Sequence, residues 1–271
     1  MLVDSHVHIH ACYDLDVMFD AAARNFRRAA RSNGAHAARS APLGCLALTE
    51  TARDHAFAAL AGRGPGSSTR HWSVRATDDE AAVVCASSTG DEIIVIAGSQ
   101  IVTAERLEVL ALATARRYPD GRSLPATLEA LAADHVPAVI PWGFGKWWLK
   151  RGRLLANLLD HGDARAFFLG DNGGRPALTP RPRLFHAAES RGFRILPGTD
   201  LFPYKSQQRK AGSYGFVLDA WEVDARPAAQ LRQQLQRLEG SPPVYGSRVN
   251  VLEFTWLQVA MNVRNRLPHE Q

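Results

Sequence analysis

Short apolar runs of strand length alternate with helical segments along nearly the whole chain, and this alternation limits the folds open to it. LVDSHVH opens the chain as a strand. GCLALTE (44–50), VPAVIPWG (136–143), ARAFFLGD (164–171), FRILPGTD (193–200) and SYGFVLDAWEV (213–223) follow at intervals. Between them lie segments of helical pattern at 15–31, 54–63, 125–135, 147–161 and 180–192, with two more near 226–239 and 249–265. A β-rich stretch, HWSVRAT, AAVVCAS and EIIVIAGSQIV, interrupts the series at 71–102 and reads as a meander that sends one strand into the main sheet. The loop GRGPGSSTR before it is flexible in composition. Repeated strand–helix units predict a parallel sheet with helices outside. At 271 residues, a single α/β barrel fits the length.

The first strand carries chemistry. In MLVDSHVHIH, Asp4, His6, His8 and His10 occupy every second position. Side chains on a strand alternate between faces, so Asp4, His6 and His8 are expected on one face. The two imidazoles then stand about 6–7 Å apart at ~3.3 Å per residue and can converge on one ion. Neutral imidazole is the commonest metal ligand, and a nearby acid can ligate or orient it. The interleaved valines argue against a purification tag. Such sites gather at the C-terminal ends of barrel strands, which strengthens the barrel reading.

Composition excludes several classes. The formal net charge of +5 is mild and fits anionic ligands without demanding nucleic acid. Cys12, Cys45 and Cys85 form no C-x-x-C pair and leave one odd, which argues against a disulfide framework or a thiolate zinc site. No apolar run has the length of a membrane helix, and the N-terminus lacks a basic-then-apolar signal. A reduced, cytoplasmic protein with no membrane partner is expected.

The order of motifs resembles the PHP family (polymerase and histidinol phosphatase domains). DSHVHIH is similar to the family's opening D-x-H-x-H, GCLALTET to the strand ending in T-D-H, and EIIVIAGSQIVTAERLEVLAL to the G-x-E strand and its successor. VPAVIPWG stands where the family has A-H-P, and RILPGTDLF where it has G-S-D-x-H. The resemblance implies a metal-dependent phosphoesterase on a distorted (β/α)7 TIM-like barrel, distantly similar to amidohydrolases. The whole chain, 1–271, would be one domain, with an insertion near 63–91 and a C-terminal helical extension near 226–271. Several ligand positions differ. Glu50–Thr51 replaces Asp–His, Gln100 the bridging Glu, and Glu108, Trp142 and Phe202 stand where histidines are expected. His6, His8 and Asp200 survive. A three-metal cluster is therefore not expected, and one divalent ion (Zn, Mn or Fe) is, held by His6, His8 and Asp200 with Glu50 as a further carboxylate.

Loops after the strands should face the same cleft. Lys146, in PWGFGKWW, is expected to hold an anion as a catalytic and substrate-binding cation, with Asp200 as ligand or general base. Asp171 and Arg175 of GDNGGRP, and Lys205 and Arg209 of LFPYKSQQRKAG, are further candidates for substrate binding. Trp142, Phe144, Trp147 and Trp148 read equally as a plug of the cleft or as a substrate platform. Aromatic clusters belong more often to a core, so nucleic acid is not the expected partner. Two functions stand. One is a mononuclear metal hydrolase of a small anionic substrate, foremost a phosphate ester. The other is a degenerate barrel that binds a ligand or protein without catalysis.

Overall fold

In the computed structural model, residues 1–32, 42–62, 69–219 and 226–266 are described. Parts of the Gly/Ser-rich loop (63–68), the end of SYGFVLDAWEV (220–223) and the end of the C-terminal extension (267–271) lie outside the described residues. The chain runs β1 (Leu2–Val7), α1 (Leu15–Ser32), β2 (Cys45–Leu48), α2 (Ala56–Leu60), β3 (Trp72–Ala76), β4 (Ala82–Ser87), β5 (Glu92–Ile96), β6 (Gly98–Val102) and β7 (Glu108–Leu112). It continues through α3 (Leu124–Ala133), β8 (Ala138–Pro141), α4 (Leu149–His161), β9 (Phe168–Asn172), α5 (Arg183–Glu189) and β10 (Ile195–Gly198). After a 3-10 turn at Gln207–Lys210 come β11 (Tyr214–Val217), α6 (Pro227–Arg237), β12 (Val244–Gly246) and α7 (Val251–Arg266).

The strands form two open sheets, and the expected TIM-like barrel is not formed. One sheet has seven strands in the order β12-β11-β1-β2-β5-β4-β3, and the other five in the order β10-β9-β8-β7-β6. Two features explain the correction. β11 returns antiparallel onto β1, pairing Leu2 with Val217 and Val3 with Phe216, while β2 takes the other edge of β1 in parallel. With both edges occupied, β1 cannot also pair along β10. In addition β7 runs antiparallel to both β6 and β8, whereas a TIM-like barrel needs parallel neighbours. The meander β3–β4–β5 is wholly antiparallel and enters the larger sheet through β5, which lies parallel to β2.

The sheets still meet where the site lies. The amide of Asp200, just past β10, donates to the carbonyl of His6 at 2.7 Å, and the Ser5 hydroxyl donates to the Pro197 carbonyl at 2.9 Å. On the other side Glu50 bridges in parallel to Ser99. Met18, Phe19 and Phe26 of α1 and Leu231 and Leu235 of α6 pack into the core of the larger sheet. Leu110, Leu112, Val139 and Leu196 of the smaller sheet join that core. Leu124 and Leu131 of α3, Leu155 of α4 and Phe185 of α5 bury the opposite face of the smaller sheet. Buried side chains on both faces explain why β2, β5 and β8 read as continuous apolar runs.

Candidate metal centre

β1 sits inside the larger sheet, and His6 on it and His8 just past its end are buried, 3% and 6% exposed. The pairing of β1 with β2 shifts register between Asp4 and Val7, where Asp4 faces Leu46 and Val7 faces Leu48. Three residues on one strand against two on the other is a bulge, and it breaks the two-residue alternation expected from sequence. Asp4 and the histidines make different contacts.

Asp200 reaches the histidines from the end of β10. Its φ of 53° lies in the left-handed region, which Asp tolerates better than most residues. Its Oδ1 lies 3.4 Å from His6 Nε2 and 3.5 Å from His8 Nε2, and the two imidazole nitrogens are 3.2 Å apart. In a tetrahedral site with ligand bonds of ~2.0–2.2 Å, neighbouring donors stand about 3.3–3.6 Å apart. The three donors thus match one face of such a tetrahedron. Gln100 Oε1, 3.3 Å from His6 Nε2, adds a neutral oxygen beside it. His8 Nδ1 is buried with no hydrogen-bond partner among the described residues, which leaves Nε2 to carry that ring's polar interactions. The group of His6, His8 and Asp200 can therefore hold a metal ion.

Charge favours the ligating forms. Burial lowers the pKa of His6, more than Asp200 and Glu108 raise it, which keeps the imidazole neutral as ligation requires. Burial alone would raise Asp200, but at the acidic pH where the imidazoles are still protonated their charge, with a hydrogen bond from His8 and the charge of Lys146, outweighs it and holds the carboxyl well below its usual range, so Asp200 loses its proton before the rings do.

A second layer fixes the ligands. Asn172, the last residue of β9, donates from Nδ2 to Asp200 Oδ2 and to the Trp142 carbonyl, and its Oδ1 accepts from the Gly174 amide at 2.7 Å. Asp4 is fully buried and accepts from the Thr199 amide at 2.8 Å, the Thr199 hydroxyl at 2.7 Å and the Gly212 amide at 3.0 Å. It positions the Thr199–Asp200 turn and lies outside the ligand group. His10 stacks on His8 with ring centroids 5.6 Å apart, and its Nε2 meets the Leu201 carbonyl at 2.9 Å. The sequence signal for Asn172 was weak, since GDNGG reads more readily as a Gly-rich tight turn than as a functional loop.

Other predicted site residues are placed differently. Glu50 stays outside the His6–His8–Asp200 group: its carboxylate accepts from the Phe57 amide at 2.6 Å and from Arg117 at 2.6 Å. Lys146 forms an ion pair with Glu108 and acts electrostatically on Asp200, so it lies at the site but carries its own counter-ion. Asp171 and Arg175 are spent on each other, through two bonds of 2.8 Å, and the Tyr214 hydroxyl donates to Asp171 at 2.9 Å. With Arg175 only 2% exposed, this group braces β9 against β11. Lys205 and Arg209 are exposed on the loop around the 3-10 turn. The aromatic group divides. Trp147 is core, its ring against Phe185 and its Nε1 donating to the Pro141 carbonyl at 3.1 Å, whereas Phe144 and Trp148 are half exposed and pack on each other. Cys12, Cys45 and Cys85 are free thiols. Among the described residues no helix is long and apolar enough to cross a membrane.

No protein-family model and no curated protein matches the chain. Among solved structures it is similar to the crystal structure of PsfC from Pseudomonas syringae PB-5123, at 15% identity over 98% of this chain and 97% of that one, with a TM-score of 0.46.

Proposed function

We propose that the protein is a metal-dependent hydrolase of a small anionic substrate, with a phosphate ester as the favoured class and one divalent ion as cofactor. The observation that carries the proposal is the triangle of His6 Nε2, His8 Nε2 and Asp200 Oδ1, with edges of 3.2–3.5 Å. The phosphoesterase class rests on the resemblance of the Asp4–His8 and Asp200 motifs to the PHP family. Two imidazoles and one carboxylate form a shell common to catalytic zinc sites, which keep a fourth position open. The bound ion would lower the pKa of a water and polarise a phosphoryl oxygen.

The chain's own residues set the rest. Asn172 orients the Asp200 carboxylate by holding its second oxygen. Gln100 braces His6. Lys146 acts electrostatically on Asp200, and a substrate phosphate would compete with Glu108 for its ammonium group.

Elemental analysis of the purified protein, followed by a panel of phosphate monoesters and diesters, tests the reading. About one divalent ion per chain is expected, with turnover of at least one ester that His8→Ala abolishes. Two or more tightly held ions would contradict the single-ion site. Metal bound without hydrolysis of any ester would leave a binding protein with a structural ion.

A further inference from the structure

A cavity of about 350 Å³ opens at the end of the smaller sheet remote from the metal centre. It lies where β8, β9 and β10 begin. Val136 and Pro137 lead into β8, Ala166 and Phe168 stand at the start of β9, and Arg194 immediately precedes β10. Asp200 follows β10, so roughly 20 Å of strand at ~3.3 Å per residue separates the two places. The volume falls within the ~300–1,000 Å³ range of small-molecule sites.

Arg194 gives the cavity its chemistry. The residue is 3% exposed. Its guanidinium sits over the Phe168 ring, 4.4 Å from the centroid, and donates to the Ala164 carbonyl. Its Nε is buried with no acceptor among the described residues. No carboxylate among the described residues forms an ion pair with it, in contrast to Arg175, which is equally buried and doubly bonded to Asp171. Buried charges are ordinarily paired, so an unpaired one calls for a partner from outside. The surroundings sharpen this. Arg165 also lines the cavity and repels Arg194, while Asp163 offsets it only in part. His135, held at φ 54°, lines the cavity too, and Gln236 of α6 adds an amide. The remaining wall is apolar, from Ala132, Val136, Pro137 and the Phe168 ring.

We propose that this cavity is a second binding site, for a small organic anion whose carboxylate or phosphate group pairs with Arg194 and Arg165 and whose apolar body lies along Val136 and Phe168. Arg194 supplies a positive charge in the cavity wall that no carboxylate among the described residues pairs with. Arg165, exposed and lining the same cavity, adds a second positive charge. The site is independent of the metal centre in both residues and location.

The test is calorimetric titration of metal-free protein with inorganic phosphate, benzoate and neutral benzamide, each at constant ionic strength. Benzoate or phosphate should bind, and benzamide should bind at least about tenfold more weakly than benzoate, because an ion pair is lost. Phosphate without benzoate would identify a phosphoryl ligand. Benzoate in preference to phosphate would identify a carboxylate with an apolar body. Arg194→Met should lower affinity by about tenfold or more. Arg165→Ala should lower it several-fold, and its exposed side chain keeps the test valid if Arg194→Met fails to fold. His8→Ala should bind the anion as the wild type does. The proposal is overturned if neither anion binds, if Arg165→Ala and a folded Arg194→Met both bind like wild type, or if His8→Ala abolishes binding.

Discussion

Gly198→Ala should dismantle the metal centre without removing a ligand. Gly198 ends β10 against the backbone of His6, and a Cβ placed there would lie 2.5 Å from both the His6 Cβ and the His6 N, and 3.0 Å from its Cα. Carbon atoms pack at about 3.5–4.0 Å, so relief requires β1 and β10 to part by about 1 Å. The obstacle includes backbone, so no rotamer change relieves it. The donor distances from Asp200 to the imidazoles, 3.4 and 3.5 Å, would rise to about 4.4 Å. Two bonds of ~2.1 Å span at most about 4.2 Å even when collinear, so a single ion could no longer join Asp200 to a histidine. Overpacking of this kind destabilises by about 1–3 kcal/mol, and displacing a ligand's support lowers metal affinity by about 10–100-fold. Competition with a chromophoric chelator measures the affinity, and chemical denaturation of the metal-free protein measures the stability. A folded Gly198→Ala protein that bound zinc with wild-type affinity would refute the assignment of Asp200 to the same shell as His6 and His8.

Three further outcomes are expected. Burial pushes the Asp4 carboxyl up to about 7, against ~3.9 when unfolded, so between about pH 4 and 7 the folded state holds a proton that the unfolded state has released. Asp4 therefore contributes a loss of stability as pH rises through that window, at up to ~1.4 kcal/mol per pH unit, and denaturation of metal-free protein at pH 5 and pH 7 should show a larger fall for wild type than for Asp4→Asn; equal falls would remove Asp4 as the cause. Arg175→Met should destabilise the protein by about 3–5 kcal/mol because it strands the Asp171 carboxylate in the interior, a loss readable as a shifted denaturation midpoint, and a change below about 1 kcal/mol would show that the pair is not buried as described. Lys146→Ala should raise KM for the best phosphate ester several-fold more than Lys205→Ala does, since Lys146 acts on Asp200 while Lys205 is exposed on its loop; identical KM values would remove Lys146 from the substrate site.

What the sequence discloses depends on how local the determining interaction is. His6 and His8 are legible because two residues of strand bring both imidazoles within reach of one point, and Asp200 because a strand ending in GTD presents an acid at its tip. Many elements follow the apolar runs for the same reason, but EIIVIAGSQIV, read as one run, divides at Ala97 into β5 of the larger sheet and β6 of the smaller. Closure of the sheet was not legible. An alternating β/α pattern is equally consistent with a barrel and with open sheets, and the choice turned on β11 finding the free edge of β1, a pairing between Val3 and Phe216 across nearly the whole chain. The fates of the charged candidates turned on equally distant partners. Glu50 was taken by Arg117 and Lys146 by Glu108, both from segments that sequence spacing does not associate. Asp4 shows the subtler failure. Strict alternation places it beside His6, but the register of β1 against β2 shifts between Asp4 and Val7, and Asp4 accepts instead from Thr199 and Gly212. Asp4 thus anchors the Asp200 turn against β1, and its contacts separate a residue that positions the ligands from the residues that can touch an ion.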